Sequence, residues 1–236
     1  MPRRLAFRLT YGANIATYLK DGEIKAKNNT PLQLGYRISD PSIVSRRGGI
    51  SFQTPCGSNI NDFVPFYFSP ATAMSFKIHR GEVPLVDPAG VDCGAASMQD
   101  VTFIVCDPKV LQEVAEKIWF SNIACNSGIM PNYEDDLKSL ESHIEWPLFD
   151  ESPKMGRVPE LNYEGVCSWF HNRDRPEKYM NRKAIRMAEF LCYGAVPMDA
   201  VEALVIKDEK WKDYLQFQVD RSNFDIPIII NSGCYF

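Results

Sequence analysis

The stretch Asp62-Phe63-Val64-Pro65-Phe66-Tyr67-Phe68-Ser69-Pro70 is the most aromatic in the chain, and it limits the fold more than any other. A run of aromatic and β-branched residues reads as a strand that needs neighbours to pack against. Pro65 in its middle cannot donate to a ladder, so the strand belongs at an edge or carries a bulge, irregularities that recur beside ligand sites. Ala73 to Ile78 follows as a second apolar run and reads as another strand across a turn.

The neighbours are present. Leu5 to Thr10 alternates as a strand does, and Val101 to Cys106 is a continuous apolar run closed by Asp107-Pro108. The second pattern predicts a buried strand, then a helix from Pro108 to Ile118 with Asp107 as its N-cap. Phe190 to Val196, Ala203 to Lys207 and Ile226 to Ile230 read as further strands. Helices are predicted around Ile15 and Leu19, stopping near Asp21-Gly22, from about Tyr133 to Leu140, and over the run holding Trp211, Tyr214, Leu215 and Phe217. Short strands interleaved with helices and loops give a mixed α+β fold. Residues 25–60 are polar and weakly periodic and read as a long loop, a kind of segment that is often functional.

A chain of 236 residues, 45% hydrophobic, buries a substantial core as one large domain or two small ones. No linker, low-complexity tract or repeat divides it, so a single domain over 1–236 is expected. The net charge of −4 argues against a general nucleic-acid coat protein but leaves room for a local basic groove. Arg3, Arg4 and Arg8, then Arg46 and Arg47, then Arg173, Arg175, Lys178, Arg182, Lys183 and Arg186 cluster, while acids gather at Glu134-Asp135-Asp136 and at Glu141 and Glu145. A polarised molecule follows. The seven cysteines include no Cys-x-x-Cys pair and form no evident disulfide framework, which points to a reducing cytoplasm. The apolar run after Met1-Pro2-Arg3-Arg4 is too short for a signal or a membrane span, so a soluble intracellular protein is expected.

Several chemistries lack their motif. His79, His143 and His171 lie far apart without metal-ligand spacing, and no metal is expected. Neither a P-loop, nor a Rossmann fingerprint, nor a Gly-x-Ser-x-Gly elbow is present. What remains is the stretch Asn181 to Leu191, which delivers Glu189 from a basic segment onto an apolar run. Beside Arg182, Lys183 and Arg186 a carboxylate stays ionised and can hold a hydroxyl or stabilise a developing cation; a solvated helix with salt bridges is the other reading. Tyr67, Phe68 and Trp119 offer stacking faces for bases, or they are core.

Taken in order, these features resemble the DarT family, bacterial toxins that transfer ADP-ribose from NAD⁺ to a nucleobase in DNA, within the ADP-ribosyltransferase fold. The resemblance runs from Arg8 to Phe236. Its most specific element is Asp62 to Pro70 with Met74, similar to the family's Val-Pro-Phe-Tyr-Phe segment followed by a proline and a methionine. Arg186-Met187-Ala188-Glu189-Phe190-Leu191 is similar to the family's basic lead into Ala-Glu-Phe-Leu, which carries the catalytic glutamate. Ile43-Val44-Ser45-Arg46-Arg47 resembles its Ile-x-x-Arg-Arg loop, and Cys234-Tyr235-Phe236 its aromatic end. Trp119-Phe120-Ser121-Asn122 and Ile144-Glu145-Trp146 look like weaker landmarks. One departure stands out: the family commonly has His-x-Thr-His ahead of Asn-Leu, where this chain has Arg8-Leu9-Thr10-Tyr11-Gly12-Ala13-Asn14-Ile15. Thr10 and Asn14 carry over and the histidines do not.

The resemblance implies an ADP-ribosyltransferase-like fold of central antiparallel or mixed sheets with flanking helices. It implies catalytic Glu189 and Arg47 with Arg46 beside it, and NAD⁺ as substrate held by Thr10, Asn14, Arg47, Tyr67, Phe68 and Met74. Arg47 would neutralise the diphosphate or polarise the target base. Single-stranded DNA is the expected acceptor, along a short track including Arg46, Arg47, Arg182 and Arg186, with RNA or a protein side chain as alternatives and a cognate antitoxin as partner. A non-catalytic module of the same shape, holding nucleic acid or a partner, is the reading from another class; retention of Glu189 speaks against it.

Overall fold

In the computed structural model, which describes residues 2–39, 41–49, 52–172 and 176–236, eight strands form one mixed sheet. In chain order they are β1 (Ala6–Tyr11), β2 (Phe63–Tyr67), β3 (Val101–Cys106), β4 (Ile118–Ser121), β5 (Tyr133–Glu134), β6 (Glu189–Tyr193), β7 (Ala203–Ile206) and β8 (Ile228–Ile230). Their lateral order is β8-β7-β3-β1-β2-β6-β4-β5. The β7–β8 pair is parallel, as expected for strands joined through a crossover helix, here Lys212–Asp220; the other neighbours are antiparallel. Arg173 and Arg175 of the basic cluster lie outside the described residues.

Within each half of the sheet one ladder runs the full length of its strands. β1 pairs with β3 from Ala6↔Cys106 to Tyr11↔Val101, and β2 with β6 from Tyr193↔Phe63 to Glu189↔Tyr67. Between the halves only Phe7↔Tyr67 is paired. Pro65 gives the reason. It has no N–H to offer β1, and its carbonyl oxygen accepts from Arg8 Nη1 at 3.1 Å in place of a ladder bond. Beyond Phe7 and Tyr67 the two strands part, so β2 is interior by order and an edge along one side. The expectation for Pro65 is met in that form.

Both faces of the sheet are covered, which is why its strands read as continuous apolar runs. Phe7, Phe66, Phe103, Phe120 and Phe190 are fully buried in the main core, with Phe120 and Phe190 stacked at 6.2 Å between centroids. A second cluster of Ile60, Phe63, Cys125 and Leu191 covers the other face of β2 and β6. Each large side chain sealed this way contributes about 1.5–3 kcal/mol.

Several elements differ from the sequence reading. Residues 73–79 form a helix rather than a strand, α3 (Ala73–His79), because Thr72 and Ser75 make a reciprocal capping box at its start. The polar stretch expected as loop contains the short strand Arg37–Ile38 and α2 (Pro41–Arg47), whose last turn carries Arg46 and Arg47 where the helix dipole favours cations. Before them α1 (Asn14–Asp21) ends on Gly22 at φ 75°, as its sequence predicts. α4 (Pro108–Val114) starts on the Asp107 cap but stops short of Ile118, which opens β4 and pairs with Cys192. The helix expected over Tyr133 to Leu140 is instead edge strand β5, a turn capped by Asp136 and the short helix Leu140–His143. Gly194, at φ 71°, divides the run Phe190 to Val196 into β6 and the short strand Ala195–Pro197. Among the described residues no helix is long and apolar enough to cross a membrane.

Candidate active site

Where β1 and β2 part, a cleft of about 1300 Å³ opens. Arg8, Thr10 and Tyr11 line it from β1, Asn14 and Tyr18 from α1, Pro65 and Tyr67 from β2, Arg47 from α2, Met74 from α3, and Met180, Lys183 and Met187 from the segment before β6. Among its described lining residues are seven cations, Arg8, Lys25, Lys27, Arg37, Arg47, Lys77 and Lys183, and no carboxylate. In a chain of net charge −4 this is a strong segregation of sign, and a walled cleft of one sign concentrates anions. The volume exceeds what one drug-sized ligand needs, roughly 300–1,000 Å³.

Behind the cleft residues Arg47 and Tyr67, and not itself part of the lining, lies Glu189, the first residue of β6, level with Tyr67 across the ladder and fully buried. Its Oε2 accepts from Arg47 Nη2 at 2.7 Å and its Oε1 from the Cys125 backbone N–H at 3.2 Å. Its own N–H donates to Ser121 Oγ at 3.1 Å, and the Cys125 thiol donates to the same oxygen at 3.4 Å. The carboxylate is thus fixed on both oxygens and at its main chain. Burial works against the charge on Arg47, but the neighbouring carboxylate outweighs it and raises the guanidinium pKa further. Burial raises the Tyr67 phenol well above its ordinary value, with Glu189 adding to the shift, and the same two causes push the Cys125 thiol up to about 12. At neutral pH Arg47 is therefore a guanidinium cation, while the Tyr67 phenol and the Cys125 thiol are neutral.

The basic segment before Glu189 plays a different part from the one expected. The helical turn Arg182–Ile185 ends before the strand begins, and both Arg182 and Arg186 are 0% exposed. Arg182 bonds Glu151 Oε2 at 2.9 Å and the carbonyls of Trp169 and Leu148. Arg186 Nη1 and Nη2 donate to the carbonyls of Cys167, Trp169 and Ala71 and to Ser69 Oγ, while its Nε is buried without a partner. Neither touches Glu189 and neither is available to a nucleic-acid track. The solvated-helix reading fails as well, since Glu189 lies in a buried strand.

Other expected residues divide. Thr10 and Asn14 line the cleft, but their polar atoms are engaged: Asn14 Nδ2 donates to Thr10 Oγ1 at 3.1 Å and to Tyr36 O at 2.8 Å, and Tyr36 N donates to Asn14 Oδ1 at 2.7 Å. Asn14 thereby ties the segment before β-strand Arg37–Ile38 over the cleft, and Gly35 passes so close that a Cβ there would lie 2.7 Å from Asn14 Oδ1. Met74 is a half-buried wall residue. Phe68 is not at the site; it is 2% exposed and packs edge-on against Trp146 and Phe190. Trp119 packs against Tyr133 in the second cluster. Arg46 is exposed, reaches Asn126 O at 3.4 Å and lies over the Phe52 ring, away from Glu189. Sequence reasoning missed Ser121 and Cys125 behind Glu189 and the Tyr11–Tyr36 ring pair at 4.5 Å on the cleft wall. Only Ser121, inside the Trp-Phe-Ser-Asn landmark, carried a signal. Among the described residues no group of three or more His, Cys, Asp or Glu could hold a metal ion.

Residues 7–236 match the family described as DarT, ssDNA thymidine ADP-ribosyltransferase. The chain is 22% identical to a DNA ADP-ribosyl transferase of Escherichia coli O127:H6 (strain E2348/69 / EPEC), over 99% of this chain and 94% of that one. Its fold is similar to that of Thermus sp. 2.9 DarT in complex with ADP-ribosylated ssDNA, with a TM-score of 0.76 at 18% identity over 100% of both chains. Thermus sp. 2.9 DarT in complex with NAD⁺ gives a TM-score of 0.71 at 18% identity over 99% of this chain and 98% of that one.

Proposed function

Because the chain belongs to the DarT family of ssDNA thymidine ADP-ribosyltransferases, we propose that Glu189 and Arg47 are the catalytic pair of an enzyme that transfers ADP-ribose from NAD⁺ to single-stranded DNA. The 2.7 Å Arg47–Glu189 pair, with Arg47 lining a cleft whose described lining residues include seven cations and no carboxylate, is the observation that carries this reading. Cleaving the nicotinamide ribosyl bond leaves a cation-like ribose while nicotinamide departs with the bonding electrons. A fixed carboxylate stabilises that charge, and Glu189 does so by holding the ribose 2′-hydroxyl. The acceptor atom of the base then bonds to the ribose carbon and gives up a proton. Arg47 stays cationic and cannot take it, and the proton passes to solvent. Arg47 orients the carboxylate and neutralises substrate oxygens.

Thr10, Asn14, Tyr67 and Met74 form the NAD⁺ walls. Thr10 and Asn14 act as a bonded frame. We read 1–236 as one catalytic domain that works in the cytoplasm, where its cysteines, all free among the described residues, remain thiols. A toxin role with a cognate antitoxin follows from the family. Single strands suit a site that must reach a base, since extrusion from a duplex costs on the order of a few kcal/mol.

Incubating the purified chain with NAD⁺ and matched single-stranded DNA, single-stranded RNA and duplex DNA tests the reading by nicotinamide release and oligonucleotide mass. Single-stranded DNA should gain one ADP-ribose. Nicotinamide release with no change in oligonucleotide mass would replace transfer by hydrolysis, and preferential modification of RNA or of duplex would overturn the acceptor.

A further inference from the structure

We infer that the open edge of β8 is an interface for a second copy of this chain, the two strands pairing antiparallel about a twofold axis at Ile229. The surface lies away from the cleft, and the inference does not depend on the catalytic reading.

A strand at the end of a sheet leaves one row of backbone groups without a ladder, a ready template for another strand. The bonds from β8 to β7 show which row that is. Leu204 N donates to Pro227 O and Asn231 N to Ile206 O, both at 2.9 Å, so residues 227, 229 and 231 turn their backbone towards β7. The N–H and C=O of Ile228 and Ile230 point the other way and make no hydrogen bond among the described residues. Natural edges are commonly blunted by a charge or a proline on the strand itself. Here all three positions are isoleucine, and Ile230 is 38% exposed. A groove of about 570 Å³ runs along them, walled by Glu160, Leu161, Lys212 and Pro227.

Two features of this edge select a second copy as its occupant. The first is register. In an antiparallel pair centred on Ile229, Ile228 of one copy lies opposite Ile230 of the other, and each such pair exchanges both of its backbone bonds, so every free group finds a partner. The second is charge. The crossover helix begins at Lys212, beyond the end of β7 that is level with Ile230, which sets a cation by the C-terminal end of β8. Arg3 binds both Leu161 O and Glu202, the residue before β7, which sets Glu160 by the N-terminal end of β8. Antiparallel pairing brings opposite ends together, so Glu160 of each copy meets Lys212 of the other. A parallel pair would instead set like charges side by side, which is costly. Glu160 has no ion pair among the described residues, and the pair of Lys212 with Glu209 at 3.3 Å is exposed. The contact is short, so it belongs with weak and transient interfaces, those below roughly 1,200 Å².

The test is sedimentation velocity of the full chain from about 5 to about 500 μM, the range in which contacts of this size associate, with thermal midpoints alongside. Wild type should pass from monomer to dimer across that range. Ile230→Pro removes an N–H that bonds nothing within the chain, and Ile230→Lys places a charge on the edge; both should stay monomeric while melting close to wild type. Glu160→Lys and Lys212→Glu should each weaken the dimer about 10-fold, and the double variant Glu160→Lys/Lys212→Glu should regain most of that loss, because the exchanged charges meet again across the twofold axis. A wild-type chain that stays monomeric throughout overturns the inference, as does a dimer that survives both Ile230 variants. A double variant no tighter than the single ones overturns the antiparallel register. Assembly that continues past the dimer overturns the closed twofold pair. If Ile230→Pro does not fold, Ile230→Lys decides the role of the edge.

Discussion

Glu189→Gln separates the catalytic share of the buried ion pair from its structural share. The native carboxylate, fully buried, takes one bond from Arg47 at 2.7 Å and one from the Cys125 backbone at 3.2 Å. Glutamine matches its shape, and the amide oxygen keeps one of those bonds. The charge is lost, so Arg47, whose side chain is 11% exposed, becomes a cation with little solvent and no counter-ion. Removing one partner of a buried pair costs roughly 3–5 kcal/mol, and the retained hydrogen bond and residual hydration place this site near the lower end, about 3 kcal/mol. In a chain of this length that lowers the melting midpoint by roughly 6–12 °C. Independently, nicotinamide release should fall about 10²–10³-fold, because a neutral group now faces the developing cation. The double variant Arg47→Met/Glu189→Gln distinguishes the two effects: with no orphan charge it should regain most of the lost stability and remain inactive. Melting curves and nicotinamide release on the same preparations provide the readout. A single variant that melts with wild type, or a double variant no more stable than the single one, would refute the ion-pair account.

Arg186→Met should cost roughly 3 kcal/mol or more in denaturant midpoint by leaving buried carbonyls without donors, yet leave the salt dependence of single-stranded DNA binding unchanged; a shallower salt slope would return Arg186 to the nucleic-acid track. The Glu151 carboxyl is held down to about 2, below its ordinary 4.5, first by its hydrogen bond to Lys178 and then, against the effect of burial, by Arg182. A lowered folded pKa gives stability that is present above 4.5 and lost as pH falls towards 2, so wild type should exceed Glu151→Gln in stability at pH 6 and converge on it through that window. A difference that stays constant from pH 6 to about pH 2 would exclude the linkage.

How much of this was legible in the sequence depended on whether the deciding chemistry was local. Val101 to Cys106 could be read as a buried strand because all six side chains are apolar or small and all are buried, and Asp107 could be read as a cap because the cap bond spans two residues. Thr72 and Ser75 were equally local, yet the apolar content of the run behind them suggested a strand, and the capping box decided otherwise. α2, only seven residues long in a polar setting, has too few apolar positions to show a period. Tyr67 and Phe68 could not both face the cleft, since successive strand residues point to opposite faces; the alternation that buries Phe66 and turns Tyr67 to the site carries the chain past β2 with Phe68 again in the core. Arg47 beside Glu189 was reached only through the family resemblance, and the local sequence pointed to other partners. Arg47 lies 142 positions away, while Arg182 and Arg186, close in sequence, are consumed by other acceptors.

The fate of those two arginines explains how an acidic chain acquires a cationic site. Charge clusters in a sequence are ambiguous between cations that build and cations that bind, and burial separates them. Arg182 and Arg186 build: their donors draw residues 148–151, 167–169 and 69–71 together behind the strand that presents Glu189. Burial lowers Arg186 to about 10, which still leaves it charged at neutral pH, and its acceptors are carbonyls and a hydroxyl rather than acids. The cations that line the cleft come from elsewhere: Arg8, Lys25, Lys27, Arg37, Arg47, Lys77 and Lys183. With no carboxylate among the described lining residues, the field inside the cleft opposes the sign of the whole molecule. Long-range attraction to a polyanion is then weak, while inside the cleft where β1 and β2 part an anion is favoured locally.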